Sequence, residues 1–389
     1  MIEITEEKKN IFLKVIHKIQ NSQFRYIKKY KGNKRVNKLA VYYHKFIEKD
    51  LRRHSNNQEV MGIIKTLNDN GYDVYLLDKN CSFIPKRLSN KKIDLFIGID
   101  GCGGGKYYFS HLEQLNATRN FLLQTVQPPS LLRKRLERRR IHREKNLGIY
   151  EEYIRKIPYE EEVIFNKNIH KVDTLIFPNS TDEELNNELN NYGINIKRVD
   201  WTTYKEVSAI ERKPLKEIEF ICMCGTDPFR KGIDYAIDFF SGLPYKLHIL
   251  AQLHDEKKIT ELINRYENNS NIKYWGFLDT AGPDFRKLAK KAMFCINFSV
   301  TEGQPTAMLH LMKTGLIPII DKDSGSFNYK YGLILDIMNQ SSELTKKRIV
   351  EYVENFSWEE YQKQSKYISE FIIKNHNYET FKKQFNDCL

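Results

Sequence analysis

Short apolar runs, each followed by a stretch with helical spacing, recur down this chain; the alternation closes near Lys205 and then starts again. The first pass contains "KLAVYYH", "YDVYLLD", "KKIDLFIGID", "RNFLLQTVQ" and "VDTLIF"; the second contains "EIEFICMCG", "YKLHILA", "NIKYWGFLD", "MFCINFSV" and "LIPIID". Runs this short fit strands buried on both faces. Strands alternating with helices build parallel sheets with helices on either side. A chain of 389 residues has room for two such domains, and the cleft between them is where a ligand is expected.

The junction "FSVTEGQPTAMLHLMKTGLIPII", Phe298 to Ile320, reads strand, loop, helix, strand. Pro305 suits a first helical turn, because its missing N–H would be unpaired there. Ala307, Met308, Leu311 and Met312 recur at helical spacing, and Gly315 suits a left-handed cap. The loop holding Thr301, Glu302, Gly303 and Gln304 therefore lies at the carboxyl end of a strand and the start of a helix. Open α/β sheets bind ligands there, and free backbone N–H groups favour an anion. A carboxylate aimed at a phosphate is repelled, so a ligand role for Glu302 means accepting hydrogen bonds from hydroxyls beside the anion. A phosphate flanked by hydroxyls describes a nucleotide sugar. The other reading of Glu302 is a carboxylate that complements the helix dipole at an exposed loop.

Elsewhere the segment from Ile11 to Lys31 has helical spacing, and Gly101, Gly103, Gly104 and Gly105 follow a strand without the spaced order of a dinucleotide fingerprint. Leu131 to Lys145, "LLRKRLERRRIHREK", is the densest basic run. It reads as a solvated face, or as a contact with an anionic membrane surface through Arg133 to Lys145. Ser180 or Thr181 is expected to cap the helix after "VDTLIF". A net charge of +13 favours acidic partners, but no nucleic-acid-reading module is present and no nucleic-acid partner is expected. Six cysteines show no zinc-type or disulfide spacing, so buried free thiols and no metal are expected. No apolar stretch reaches membrane-spanning length and the amino terminus lacks a signal pattern, which gives an expected cytoplasmic location, peripheral at the inner membrane.

Taken in order, "FRKGIDYAIDFF", "IKYWGFLD" and "TEGQPTAMLHLMKTGLIPII" resemble the carboxyl-terminal half of the GT-B glycosyltransferases, in particular the large retaining family four. "DLRRHSNNQEVMGIIKTLNDNGYDVYLLD" resembles the amino-terminal start of bacterial members, so the likeness covers the chain from about Lys38 onward. It implies a GT-B α/β fold: two Rossmann-like doubly wound domains facing a cleft, with carboxyl-terminal helices crossing back to the first. The expected division is a helical extension at 1–35, an acceptor domain at 36–205, a nucleotide-sugar domain at 206–355, and the returning helices at 356–389.

The resemblance also implies roles. Lys231 would contact the donor diphosphate and Glu302 a hydroxyl of the donor sugar, as the catalytic pair. A fixed cation suits a leaving group whose negative charge grows in the transition state. Arg230, Gly303, Gln304 and the following backbone would cradle phosphate and sugar, and Gly276 and Phe277 would lie along the nucleobase. The chain departs from the family at three positions: Gly225 stands where an arginine is common, His310 where a second glutamate holds the ribose, and Gln127 where a histidine approaches the reacting carbon. His310 is either a ribose contact or a polar residue on the wet side of its helix. Gln127 cannot exchange a proton near neutral pH, so no general base is named. His54, Asn56, Gly103, Gly104 and Gln127 are the acceptor-side candidates, with Ser55 or Asn56 equally suited to capping a helix. The implied activity is retaining transfer, without metal or cofactor, of a sugar from a nucleotide diphosphate to a glycan or lipid-linked acceptor in bacterial surface polysaccharide or glycoconjugate synthesis. A non-catalytic glycan or nucleotide binder and a nucleotide-sugar epimerase of the same fold are the alternatives.

Overall fold

The computed structural model describes residues 26–32, 38–45, 57–100, 107–148, 158–214, 216–225, 227–251, 256–265, 270–300, 302–325 and 330–389. The first lobe runs through β1 (Ile27–Tyr30), β2 (Lys38–His44), α1 (Asn57–Asp69), β3 (Tyr72–Asp78), α2 (Lys86–Ser89), β4 (Leu95–Asp100), α3 (Tyr108–Leu115) and β5 (Asn120–Gln124). It continues through α4 (Pro129–Leu147), α5 (Tyr159–Asn168), β6 (Thr174–Phe177), α6 (Glu183–Asn190) and β7 (Asn195–Arg198). Its seven strands lie in the order β1-β3-β2-β4-β5-β6-β7, all parallel except β1, which runs antiparallel along β3. Ile27 to Tyr30 is thus an edge strand and not the end of a helix; it closes the open side of β3 with four paired positions. The rest of the expected amino-terminal helix lies outside the described residues.

The second lobe comprises β8 (Glu219–Gly225), α7 (Ile233–Phe240), β9 (Lys246–Ala251), α8 (Glu256–Ile263), β10 (Ile272–Gly276), α9 (Pro283–Lys291), β11 (Phe294–Asn297), α10 (Thr306–Lys313), β12 (Ile317–Asp321) and β13 (Leu333–Leu335). Its six strands are all parallel, in the order β10-β9-β8-β11-β12-β13. Parallel sheets are covered on both faces, which is why β8 reads as unbroken "FICMC" and is buried along most of its length. Phe220, near its start, stacks on Phe294 at 5.1 Å and meets the edge of Phe240 at 4.6 Å. Among the described residues five cysteines are free and buried, and no helix is long and apolar enough to cross a membrane.

Three helices finish the chain: α11 (Ser342–Glu354), α12 (Trp358–Asn375) and α13 (Tyr378–Asn386). Ser357 caps α12 by accepting from the Glu360 N–H at 3.0 Å, so the aromatic stretch there separates two helices. α13 returns to the first lobe and packs on α1, with Phe381 and Phe385 fully buried. Each buried phenyl ring contributes roughly 1.5–3 kcal/mol. A Cβ on Gly62 of α1 would lie 2.7 Å from the Phe381 ring, so this glycine sets how closely the two helices approach.

Glu59, in the first turn of α1, is buried beside the segment that joins the lobes. Its Oε1 accepts from the Thr202 N–H at 3.1 Å, while Oε2 is buried without a partner. Burial pushes this carboxyl up to about 8. The unfolded chain would release that proton near the ordinary glutamate range, so folding takes up a proton between those two values. Stability therefore falls as pH rises through that window, by at most about 1.4 kcal/mol per pH unit. Glu59→Gln keeps an acceptor for Thr202 without a charge. Urea midpoints at about pH 5, 6.5 and 8 are expected to fall for the wild type and to fall less steeply for the variant, with the variant more stable at the alkaline end.

Candidate active site

In the second lobe the strand order reverses direction between β8 and β11. In a doubly wound sheet that reversal opens a crevice outside the carboxyl ends of the two strands. The chain leaving β8 carries Asp227 to Gly232 and the chain leaving β11 carries Glu302 to Gln304. Both loops lead into helices: Gly232, at φ +85°, caps the start of α7, and Pro305 precedes α10. Pro305 thus sits one position before the helix that its fixed φ was expected to start, and Gly315, at φ +91°, follows its end as expected.

Lys231 and Glu302 meet in this crevice. The Lys231 Nζ lies 3.0 Å from Glu302 Oε1, and both side chains stay partly open to solvent. Gly225, the last residue of β8, takes φ +62°, and a Cβ there would point at Lys231 Nζ from 4.0 Å. A side chain at this position would be strained by that φ. Arg230 pairs with Asp227, its Nε 3.1 Å from Asp227 Oδ2. Asp227 holds φ +57°, a conformation that costs energy outside glycine and tends to occur where a loop is held for function.

The first lobe reaches the same loop. Val126 and Glu302 form an antiparallel bridge, and the Gly303 N–H donates to the Thr125 carbonyl at 3.3 Å. A Cβ on Gly303 would lie 3.0 Å from Phe177 and 3.1 Å from the Thr125 oxygen. Gly303 therefore admits the first lobe, and its N–H is directed at that lobe instead of at a phosphate. Gln127 is buried in the seam, its Nε2 donating to the carbonyls of Asp323 at 3.1 Å and Glu302 at 3.4 Å. Its Oε1 is buried without a partner.

Two expected donor contacts have protein partners in this structure. The Gln304 side chain is buried against the segment joining the lobes: Oε1 accepts from the Trp201 N–H at 2.7 Å and Nε2 donates to Asp200 Oδ1 at 3.1 Å. His310 is buried and not on a wet face of its helix. Its Nε2 accepts from the Tyr204 N–H at 2.9 Å and its ring stacks on Tyr204 at 4.7 Å. Burial pushes this imidazole down to about 3, so it is neutral near pH 7, with the proton on Nδ1. Gly276, at φ +71°, ends β10, and Phe277 beyond it is 47 % exposed. His54, Asn56, Gly103, Gly104 and Thr301 lie outside the described residues. Among the described residues no group of histidine, cysteine, aspartate and glutamate is close enough to hold a metal ion.

The basic run forms α4, and its solvated reading fails for one face. Arg135, Arg139, His142 and Arg143 are buried with Leu131, Leu132 and Leu136. Arg135 grips Asp182 through two bonds of 2.6 and 2.8 Å, and Asp182, not Ser180 or Thr181, caps α6 by accepting from the Leu185 N–H. Arg135 also lies 3.4 Å from Asp323 of the second lobe. His142 Nε2 donates to the Gln340 carbonyl at 2.9 Å, which leaves Nδ1 to accept from the Tyr235 hydroxyl at 2.8 Å. The bases seen in the sequence as surface charge are in large part the joint between the lobes. Arginines four apart among leucines were the available signal, and charge density concealed it.

No protein-family model matches this chain, and no curated protein matches it. Solved structures do. The sucrose-phosphate synthase from Thermosynechococcus elongatus aligns at TM-score 0.64 and 13 % identity, over 90 % of this chain and 98 % of that one. WaaG, a glycosyltransferase involved in lipopolysaccharide biosynthesis, aligns at TM-score 0.57 and 12 % identity, over 90 % and 99 %. A mutant TarM of S. aureus in complex with Fondaparinux, alpha-GlcNAc-glycerol and UDP aligns at TM-score 0.53 and 16 % identity over 75 % of this chain; the match spans about half of TarM, 54 %. With the sheet orders above, these likenesses show the GT-B fold.

Proposed function

We propose that this chain of GT-B fold is a glycosyltransferase that moves a sugar from a nucleotide diphosphate to a hydroxyl of a glycan or lipid-linked acceptor, with retention and without a metal, in building a bacterial surface polysaccharide or glycoconjugate. The observation that carries the reading is the Lys231–Glu302 pair, 3.0 Å apart at the strand-order reversal of the second lobe. A donor arriving there exchanges one contact for two: its diphosphate takes the ammonium, and a hydroxyl of its sugar donates to the carboxylate. As the bond to the leaving diphosphate breaks, charge grows on the oxygen nearest Lys231, and a cation already in place stabilises it without reorganisation. UDP in the TarM complex and the glycosyltransferase description of WaaG support this donor class.

On this reading residues 206–355 bind the donor, with Gly276 and Phe277 along the nucleobase, and residues 36–205 bind the acceptor near Gln127, His54, Asn56, Gly103 and Gly104. Of the extension at 1–35, Ile27–Tyr30 already belongs to the first lobe's sheet, and the helices at 356–389 brace that lobe. The outward bases of the run Arg133 to Lys145, namely Arg133, Lys134, Arg138, Arg140 and Lys145, would face an anionic inner-membrane surface, although Arg133, Lys134 and Arg138 already pair with Glu162 and Glu184. A non-catalytic binder remains the second reading because Gln127, committed to two carbonyls, has no proton to exchange.

The test is a panel of nucleotide sugars screened by thermal unfolding. A donor at a hundred times its Kd stabilises the folded state by about 2.7 kcal/mol. One nucleotide sugar is expected to raise the melting temperature, and release of free nucleotide on adding acceptor then separates transferase from binder. A panel with no shift would remove the donor reading.

A further inference from the structure

We propose that Arg139, a buried arginine of the first lobe, positions Lys231 of the second by holding the backbone turn that carries it. The inference rests on reading that turn as the diphosphate seat. Arg135, Arg139 and Arg143 are four residues apart, so a helix aligns them in one row. The row crosses the seam. Arg135 is anchored to the first lobe by Asp182. At the other end Arg143 Nη2 donates to Asp234 Oδ1 at 2.8 Å, in the first turn of α7, and to the Phe229 carbonyl.

Arg139 lies between them, fully buried and with no carboxylate within ion-pairing distance among the described residues. Its Nη1 donates to the Arg230 carbonyl at 3.3 Å, its guanidinium stands 4.7 Å over the Tyr235 ring, and its Nε and Nη2 are buried without partners. Burial pushes it down to about 10, so it keeps its charge near neutral pH. A Cβ on Gly232 would lie 2.3 Å from Arg139 Nη2 and 2.5 Å from the Phe298 carbonyl. Gly232 is therefore the residue that lets the guanidinium lie against the turn.

The turn is fixed from both sides. Internally, the N–H groups of Lys231 and Ile233 donate to the Pro228 carbonyl at 3.1 Å, and that of Gly232 to Phe229 at 3.2 Å. Externally, the Phe229 and Arg230 carbonyls face Arg143 and Arg139. From this turn the Lys231 side chain runs past Gly225 to Glu302. A buried cation without a carboxylate partner is costly, and the contacts that offset the cost here are the Arg230 carbonyl and the Tyr235 ring. Because α4 belongs to the first lobe, the lysine is set for the diphosphate only while the lobes are docked.

The test compares wild type, Arg139→Met, Arg139→Lys, Lys231→Ala and Arg139→Met/Lys231→Ala. Calorimetric titrations with UDP, GDP and ADP are run beside amide hydrogen exchange of the 228–234 segment. Arg139→Met is expected to weaken nucleoside-diphosphate binding about tenfold, and to speed exchange at Lys231, Gly232 and Ile233 by a similar factor, with Arg139→Lys recovering part of both. Its melting temperature should not fall, since an apolar side chain of similar volume replaces an unpaired buried charge. In the Lys231→Ala background it should weaken binding no further. Wild-type affinity and exchange in Arg139→Met, or losses that add fully in the double variant, would overturn the proposal. If the wild type binds none of the three diphosphates, the donor reading falls by itself, and exchange at 228–234 still decides whether Arg139 holds the turn.

Discussion

Lys231→Ala will lower kcat/KM for sugar transfer about a thousandfold, while the melting temperature of the unliganded protein barely moves. The two halves of this expectation have separate causes. Withdrawing one preorganised charge from an oxygen that becomes anionic in the transition state costs about 10²–10³ in rate. Here the loss is enlarged because Glu302, 3.0 Å away, would then present an uncompensated carboxylate to the incoming diphosphate. Stability is little affected because a partly exposed ion pair contributes about 0–1 kcal/mol. Adding Glu302→Gln to Lys231→Ala should therefore recover part of the donor affinity and none of the turnover, as read by calorimetry and by nucleotide release. A Lys231→Ala variant within tenfold of wild type would mean that another group neutralises the leaving diphosphate.

The strands of this fold were visible in the sequence because buried parallel strands must be apolar on both faces, and "FICMC" or "IPII" has no other use in water. The crevice was legible for the same reason: once β8 and β11 are placed, the loops carrying Lys231 and Glu302 must leave from neighbouring carboxyl ends. The seam was not. Gln304 and His310 have the polarity of ligand-binding residues, yet their partners are backbone N–H groups of Trp201 and Tyr204, about a hundred residues earlier in the chain. Glu59 likewise meets Thr202. Local pattern reports which face of a helix is buried only when that face is apolar, and here the lobes join through polar side chains. The α4 arginines are the extreme case, because a run of charge ordinarily signals solvent, and only their spacing of four reports the common face.

Asp234→Ala will be among the most destabilising single changes in the second lobe, at roughly 3–5 kcal/mol, since it strands the buried Arg143 guanidinium instead of removing a pair. Asp234 is fully buried in the first turn of α7 and Arg143 is almost as deep. For a domain of this size each kcal/mol moves the melting temperature by about 2–4 °C, so a fall of roughly 6–20 °C is expected. Replacing both partners, Arg143→Met with Asp234→Leu, should return most of the stability, because neither charge then has to be desolvated. It should not return donor affinity, because the Phe229 carbonyl would have lost the first-lobe donor that fixes the Lys231 turn. Stability and affinity would part in that double variant only if the arginine row orients the donor site as well as joining the lobes. A loss below about 1 kcal/mol for Asp234→Ala would mean that the pair is hydrated in solution and that α4 does not dock on α7 as described.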